Sequence, residues 1–274
     1  MKLSLSVRIV EAPCKTKLHL PFHDLVEIAA HSGYDAICLR ASAAGVQTPL
    51  NQIEQMRQTV EQFGLCISMV TADFDVPLNN PDGPNSLRNI GPSLDVAEAA
   101  GCDLIRVCLK KDEDIEFAQG AADLASARGI RLAHQCHTSS LFEEVETMLQ
   151  VLKRIGRSNF GVIYEPANLM LCGQSYGVET VRKLLPHLMN VYVQNHRLDP
   201  DGPEGLPTYC LGEVRFHHLD PWDNHGVDFS KVFTALRDIQ YESFFTVHQA
   251  QGIETADDAK TFASRCAEYV SPWR

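Results

Sequence analysis

Short apolar runs and longer amphipathic runs alternate along the whole sequence. The short runs are rich in β-branched residues and end where polar or small residues begin, as strands do, whereas the longer runs have the apolar spacing of helices. This alternation predicts a parallel sheet whose strands are joined by crossover helices. Eight strands are predicted, at residues 3–10, 35–40, 65–72, 104–110, 131–137, 159–165, 189–195 and 243–249. Eight helices are predicted, at residues 21–33, 48–64, 86–101, 115–129, 140–156, 178–188, 230–239 and 256–270.

The number of strand and helix pairs favours one architecture. Eight pairs in about 250 residues match a closed (β/α)8 barrel, or TIM barrel. The main rival is a doubly wound open sheet, which normally carries fewer strands, and no GxGxxG or GxxxxGK[ST] phosphate loop follows the first strand. Five helical runs are followed by the glycine of a left-handed C-cap, namely Gly33, Gly64, Gly101, Gly129 and Gly156. We therefore expect residues 1–274 to form a single (β/α)8 barrel domain.

Composition and charge narrow the class of protein. No apolar run approaches the roughly 18 residues that cross a bilayer, and the first residues lack a signal-peptide pattern. The formal net charge of -11 argues against nucleic acid and anionic membranes as partners. The nine Cys lack CxxC spacing, so we expect mostly buried thiols in a reducing compartment. The sequence thus predicts a cytoplasmic protein.

One long stretch, residues 195–226, has no periodic pattern and is rich in Pro, Gly, His and Asp. It is predicted to be an irregular loop that acts as a lid or a binding loop, because loops of this length in compact domains are usually functional. His217 and His218 could reach the pocket or face solvent. Trp222 could stack on the apolar face of a sugar ring, or tuck into its own loop.

Polar residues at the carboxyl ends of the strands are the first candidates for function, since TIM-barrel active sites lie there. The run HQCH at residues 134–137 contains four such side chains, but alternate residues of a strand face opposite sides. Gln135 and His137 are therefore predicted to point into the barrel with the small Ala133, and His134 and Cys136 toward the helices. The spacing also fits no zinc-finger pattern.

The order of these motifs resembles a known family. GYDAICLR, GIRLAHQCHTSSLFEEVETML, NFGVIYEPANL, VYVQNHR and the final SFFTVHQ are similar to the second, fifth, sixth, seventh and eighth strand regions of the xylose-isomerase-like TIM barrels. This sugar phosphate isomerase/epimerase superfamily includes ketose 3-epimerases, hydroxypyruvate isomerases and inosose dehydratases. The resemblance covers nearly the whole chain. It implies a small carbohydrate substrate, and a homo-oligomer, since relatives often form dimers or tetramers.

The resemblance also implies a divalent metal ion held by Glu, Asp, His and Glu from four strand ends. This chain departs from that pattern, with Gln135 at the first Glu position, Glu165 at the Asp position, Tyr192 at the His position and His248 at the last Glu position. Only Glu165 carries over directly as a ligand.

A rewritten centre could still bind a metal. It would use Glu165, His248 and either His137 or His196, with Gln135 or Gln194 as a weak oxygen ligand. Such a His-rich set would favour Zn²⁺, Fe²⁺ or Mn²⁺, with Co²⁺ and Mg²⁺ as further candidates.

Roles for the remaining polar residues follow from this picture. His248, Glu165 and His137 are predicted to transfer protons, because Gln135 cannot do so at neutral pH. Predicted substrate contacts are Gln135, Gln194, Arg106, Asn168 and Trp222. Each has a structural alternative; Glu165, for example, could be a buried carboxylate paired with Arg106.

Three functions remain open at this point. The first is a sugar isomerase or epimerase, with metal-assisted proton transfer beside a carbonyl group. The second is a lyase or dehydratase that expels a leaving group after the same proton abstraction. The third is a carbohydrate-binding barrel without catalysis, because the fold alone does not choose a function.

Overall fold

Eight parallel strands close into a barrel in the computed structural model, which describes residues 1–72 and 81–274. Its strands are β1 (Lys2–Ser6), β2 (Ala36–Cys38), β3 (Cys66–Thr71), β4 (Leu104–Val107), β5 (Arg131–Gln135), β6 (Phe160–Tyr164), β7 (Leu188–Val193) and β11 (Phe244–Val247). The order around the barrel is β1, β11, β7, β6, β5, β4, β3, β2. Each lies within one predicted strand or overlaps it, and the predicted (β/α)8 fold is confirmed.

Helices surround the barrel in the predicted order. They are α1 (Phe22–His31), α2 (Leu50–Gln62), α3 (Asn85–Arg88), α4 (Gly91–Ala100), α5 (Asp114–Ser126), α6 (Val145–Ile155), α7 (Pro166–Leu171), α8 (Val178–Leu184), α9 (Phe229–Asp238) and α10 (Ala256–Val270). Short 3-10 turns occupy Val7–Val10, Leu185–His187 and Ser271–Trp273. Among the described residues, no helix is long and apolar enough to span a bilayer.

Two local predictions differ from the structure. The helix predicted at 86–101 is divided into α3 and α4, with Pro92 in the first turn of α4, where its missing N–H costs no helical hydrogen bond. The short helix α7 was not predicted; it begins at Pro166, directly after β6.

The prediction of an irregular loop at residues 195–226 is wrong. Most of this stretch is a three-stranded antiparallel sheet, the cap sheet, made of β8 (Asn195–Leu198), β9 (Glu204–Thr208) and β10 (Gly212–Leu219) in the order β8-β10-β9. Asn195, where the cap sheet begins, is hydrogen-bonded to the residues that follow its last strand. Its Nδ2 donates to the carbonyls of Asp220 and Asp223, both at 2.9 Å, and its Oδ1 accepts the Val227 N–H at 2.8 Å.

The barrel interior has a narrow apolar layer beneath a polar end. The inner cluster consists of Cys38, Met69, Leu104, Ala133, Ile163, Met189 and Tyr192, whereas most other buried apolar side chains lie between the strands and the helices. Ala133 lies in the inner cluster, as predicted, and His134 packs outward against Phe142 with 4.4 Å between ring centroids. Cys136 also faces outward, with Sγ 3.7 Å from Met148 Sδ of α6.

Gly161 of β6 permits the close approach of β7. A Cβ added there would lie 2.2 Å from the carbonyl oxygen of His187 and 2.9 Å from side-chain atoms of Met189.

We predict that Gly161→Ala lowers the free energy of unfolding by about 1–3 kcal/mol, because the backbone must shift. Urea denaturation measures this. The matched control is Gly120→Ala in α5, where a Cβ meets nothing within 4 Å and helix propensity predicts a gain of up to about 1 kcal/mol. Equal effects of the two substitutions would contradict the predicted crowding.

Candidate active site

A cavity of about 160 Å³ lies at the carboxyl ends of the barrel strands, covered by the cap sheet. The barrel contributes side chains that follow β1, β5, β6, β7 and β11, and the cap sheet contributes side chains of all three of its strands. Predicted site residues on the wall are Gln135, His137, Asn168, Gln194, His196 and His248. Residues chosen by the strand-end rule therefore line one side of this cavity. The volume suits a small molecule, since about 30 Å³ is one water's share of the liquid.

Glu165 lies directly beneath this wall and is fully buried. It follows β6 in an extended conformation, and Pro166 then starts α7. Its Oε2 accepts hydrogen bonds from Gln135 Nε2 and from Asn168 Nδ2, the latter at 2.9 Å. Its Oε1 has no hydrogen-bond partner among the described residues. Burial raises the pKa of Glu165 to about 7, although the Gln135 hydrogen bond and the charge of Arg106 oppose the shift.

Asn168 holds Glu165 in place. Its Nδ2 also donates to the carbonyl of Cys136 at 2.8 Å, and its Oδ1 lies 3.4 Å from Gln194 Nε2. Gln135, Asn168 and Gln194 therefore form an amide cluster around one carboxylate, which leaves Oε1 as its available acceptor.

His248 lines the cavity at the end of β11. Its ring stacks on Tyr192, with 3.9 Å between centroids, and its backbone N–H donates to Val193 at 2.9 Å. Its Nδ1 has no partner among residues 1–72 and 81–274. Burial, and then the charges of Arg8, Arg40 and Arg106, lower the pKa of His248 well below its usual value. The imidazole is therefore neutral at pH 7.

The other cavity histidines are neutral for the same reason. Burial lowers the pKa of His137 strongly, that of His196 to about 3 and that of His218 to about 4. His137 Nδ1 lies 2.9 Å from the carbonyl oxygen of Thr138. His196 of β8 faces His218 of β10, with 3.1 Å between the two Nδ1 atoms.

A polar chain joins the barrel to the cap sheet. Arg8 Nη2 donates to Gln249 Oε1 at 3.0 Å, and Gln249 Nε2 lies 3.0 Å from His218 Nε2. Sequence reasoning missed Arg8 as a cavity residue, assigned no role to the strand-end residue Gln249, and left His218 open. It could not place Arg8, because the chain leaves β1 at Ser6 and turns through Val7–Val10, where the Ser6 hydroxyl accepts the Arg8 N–H.

Two other predicted residues lie away from the cavity lining. Trp222 packs against Phe262 of α10, with 5.6 Å between ring centroids, and beneath the guanidinium of Arg265 at 4.2 Å. Neither alternative for Trp222 included this contact with a helix that is distant in the sequence. His217 lies 3.0 Å from a carboxylate oxygen of Asp199 on the cap sheet.

Arg106 is buried on the inner face of β4, in register with Ala133, and is not among the residues that line the cavity. It is 3% exposed, and its Nε and Nη1 have no hydrogen-bond partner in the described part of the chain. It forms no ion pair within 4.0 Å there, so the alternative in which Arg106 pairs with Glu165 does not occur in this structure. Arg40, in contrast, binds Glu11 at 2.6 Å.

These residues do not fit a divalent metal ion. Within residues 1–72 and 81–274, the one group of three His, Cys, Asp or Glu ligand atoms within 4.8 Å of each other is Glu143, Cys172 and Cys210, none of which lines the cavity. Glu165, His248 and His196 are therefore not gathered around a common point. The field of the nearby guanidinium groups, which lowers the pKa of His248, would also oppose a second cation beside Glu165.

The Glu143 group has a structural explanation. The Glu143 carboxylate is buried and accepts backbone N–H groups from Ser139, Tyr209 and Cys210, the last two at 2.8–2.9 Å. Burial, and then the Glu143 charge, raise the pKa of Cys172, and the same two influences help to raise that of Cys210. The thiols are therefore protonated at pH 7, and Glu143 fastens the β9–β10 hairpin to the barrel.

The model of the xylose isomerase-like TIM barrel family matches residues 26–265, and the chain belongs to this family. No curated protein is significantly similar to the chain in sequence.

Solved structures share the fold at low identity. A probable 3-DHS dehydratase from Bacillus anthracis is 16% identical, with a TM-score of 0.73 over 97% of this chain and 98% of that one. A D-psicose 3-epimerase crystallised in the presence of D-fructose is 14% identical, with a TM-score of 0.72 over 98% of both chains. The IOLI protein, whose crystal structure contains a zinc atom, is 15% identical, with a TM-score of 0.70 over 100% of this chain and 99% of that one. Similar barrels therefore include a metal-bound one.

We predict that Glu143→Gln loosens the cap sheet. The amide replaces one acceptor oxygen by a donor that faces backbone N–H groups, a change that costs about 1–3 kcal/mol in a buried position. Hydrogen–deuterium exchange of residues 204–219 should become faster. The control, Glu146→Gln, removes an exposed ion pair with Lys183 and should leave this exchange unchanged. Equal protection in both variants would show that Glu143 does not fasten the hairpin.

Proposed function

We propose that this protein is an enzyme that moves a proton on a carbon atom beside the carbonyl group of a small polyol-like compound. The observation that carries the proposal is Glu165, a carboxylate buried under the cavity wall, oriented by two amides and left with one available oxygen. A carboxylate is costly to bury without a full set of partners, and groups retained at such a cost cluster at catalytic sites.

In this proposal Glu165 is the base. Oε2 is held by Gln135 and Asn168, and Oε1 takes the proton from the substrate carbon. Since Gln135 and Asn168 separate Glu165 from the cavity, substrate binding must displace one of these amides. The hydrogen bonds of apo active sites commonly rearrange in this way.

The negative charge that forms on the carbonyl oxygen needs stabilisation. His248 is neutral at pH 7 because burial lowers its pKa, so its ring N–H can donate to that oxygen without transferring a full proton. The positive field of Arg106 acts in the same direction. This chain's own side chains thus supply both a base and an electrophilic environment.

The number of carboxylates favours isomerisation over epimerisation. Gln135 and His248 stand where the family resemblance implies glutamates, which leaves Glu165 as the carboxylate carried over at these positions. A single base can move a proton between neighbouring carbons on one face of an enediol, whereas inversion at one carbon needs groups on both faces. An isomerase that shifts a carbonyl group along a chain is the function that this site supports best.

Loss of water is the second candidate. A base that has taken the proton can return it to a neighbouring hydroxyl group, which then leaves, and this reaction also needs one carboxylate. The likeness to a probable dehydratase concerns the fold alone, so the observation in favour of this outcome is Glu165, the one carboxylate retained at the positions that the family resemblance implies.

We predict that the protein exchanges substrate hydrogen with solvent. The test incubates it in D2O with keto-sugars, aldoses and their sugar acids, and follows deuterium incorporation and products by NMR. Glu165→Gln should reduce the rate about 10²–10⁴-fold, because the amide preserves shape but cannot accept the proton. The control Glu179→Gln alters an exposed carboxylate of α8 and should retain the full rate.

The products distinguish the candidates. A deuterated isomer supports the isomerase, and an unsaturated product supports the dehydratase. Full exchange by Glu165→Gln would contradict the role of Glu165. No exchange with any of these compounds would favour a barrel that binds without catalysis.

A further inference from the structure

A buried arginine, Arg106, forms no ion pair within 4.0 Å with any described residue. Arg106 is 3% exposed and has two guanidinium nitrogens without a partner among the described residues. A buried cation without a counter-charge is strongly unfavourable, because neither water nor an acceptor replaces its hydration. Within the described part of the chain, the hydrogen-bonding capacity of these two nitrogens is therefore unused.

The position of Arg106 directs that capacity toward the cavity. Arg106 is two residues after Leu104 on β4, and Leu104 belongs to the inner apolar cluster, so both side chains lie on the inner face of the barrel. Arg106 is one layer nearer the carboxyl ends of the strands. Its charge acts on Glu165, His137 and His248, at or directly beneath the cavity wall.

A second guanidinium lines the same cavity. Arg8 forms a hydrogen bond with the neutral amide of Gln249 and no ion pair within 4.0 Å among the described residues. Burial, and then repulsion from Arg40, lower the pKa of Arg8 to about 10, so it remains charged at pH 7. The positive charges of both Arg106 and Arg8 act on Glu165. Lys15 also lines the cavity, facing Glu204 of the cap sheet.

We propose that the cavity binds a small substrate carrying an anionic oxygen group, a carboxylate or a phosphate, and that Arg106 and Arg8 recognise this group. Guanidinium groups bind both anions through charge-assisted hydrogen bonds. The inference names the substrate class for the proposed function and rests on that function only for the reaction that follows binding. It also accounts for the poor fit of a metal ion, because fixed guanidinium groups supply the positive charge at this end of the barrel.

The binding test compares matched probes with the wild-type protein. D-Gluconate carries a carboxylate, D-glucitol is its neutral counterpart, and D-glucitol 6-phosphate carries a phosphate. Isothermal titration calorimetry should give an affinity at least about tenfold higher for one of the anionic probes than for D-glucitol. A tenfold difference is the size of effect expected from one charged contact that is shielded from water. The preferred anion identifies the group as carboxylate or phosphate. Equal affinities for all three probes, or preference for D-glucitol, would overturn the proposal.

Variants locate the anion. Arg106→Gln should lose about tenfold or more in affinity for the preferred anionic probe and keep its affinity for D-glucitol. The matched control Arg131→Gln removes an arginine paired with Asp103 where β5 begins, at the opposite end of the barrel, and should change neither. Unchanged anion binding in Arg106→Gln would refute the role of Arg106. If Arg106→Gln does not fold, Arg8→Gln is measured in the same way, and the wild-type comparison of probes still decides the proposal.

The Glu165→Gln variant separates this proposal from the proposed function. Anion-selective binding by Glu165→Gln, together with loss of exchange, supports both. Anion-selective binding by a wild-type protein that exchanges no hydrogen contradicts the catalytic proposal and supports the anion site. Exchange of neutral sugars at the same rate in wild type and Arg106→Gln contradicts the anion site and leaves catalysis intact.

Discussion

The alternation of side chains along eight closed parallel strands determines what this molecule can place at its centre. Every second residue of a strand points into the barrel interior, which the closed sheet separates from solvent on all sides. Each inward side chain must therefore pack in the apolar interior, bind a polar partner or reach one open end of the barrel. Below the mouth the interior is filled by small and apolar groups such as Ala133 and Met69. At the carboxyl end the same strands place Arg106, Gln135 and His248 inward, with Glu165 directly after β6. The chemistry of the site follows from that arrangement.

Electrostatics at this end differ from those of a carboxylate-lined metal centre. Three guanidinium groups lower the pKa of His248, and one of them, Arg40, is neutralised by Glu11. Burial raises the pKa of Glu165 more than the nearby positive charges lower it. The site therefore combines the neutral imidazole of His248, the carboxylate of Glu165 with its raised pKa, and Arg106, two nitrogens of which have no partner among the described residues. They fit proton transfer on a substrate that brings its own negative charge.

Much of this could be predicted from the sequence, because local patterns decide it. Hydrophobic periodicity gave the strand order, and alternation within HQCH assigned Ala133 to the inner face and His134 to the outer face. The cap sheet was missed because its strands are short and polar, and pairs such as His196 with His218 join distant residues. Arg8 was missed because a 3-10 turn after Ser6 redirects the chain. Trp222 was placed by a distant helix, and no local signal reveals such a contact.

The central claim is that guanidinium groups, and not a divalent ion, provide the positive charge at the barrel mouth. Elemental analysis by mass spectrometry tests it most directly, on protein incubated with Mn²⁺ and Zn²⁺ and then dialysed, beside Glu165→Ala, His248→Ala and Cys172→Ser. The account predicts no metal whose content depends on Glu165 or His248. About one ion per chain that is retained in Cys172→Ser and lost in both Glu165→Ala and His248→Ala would contradict it.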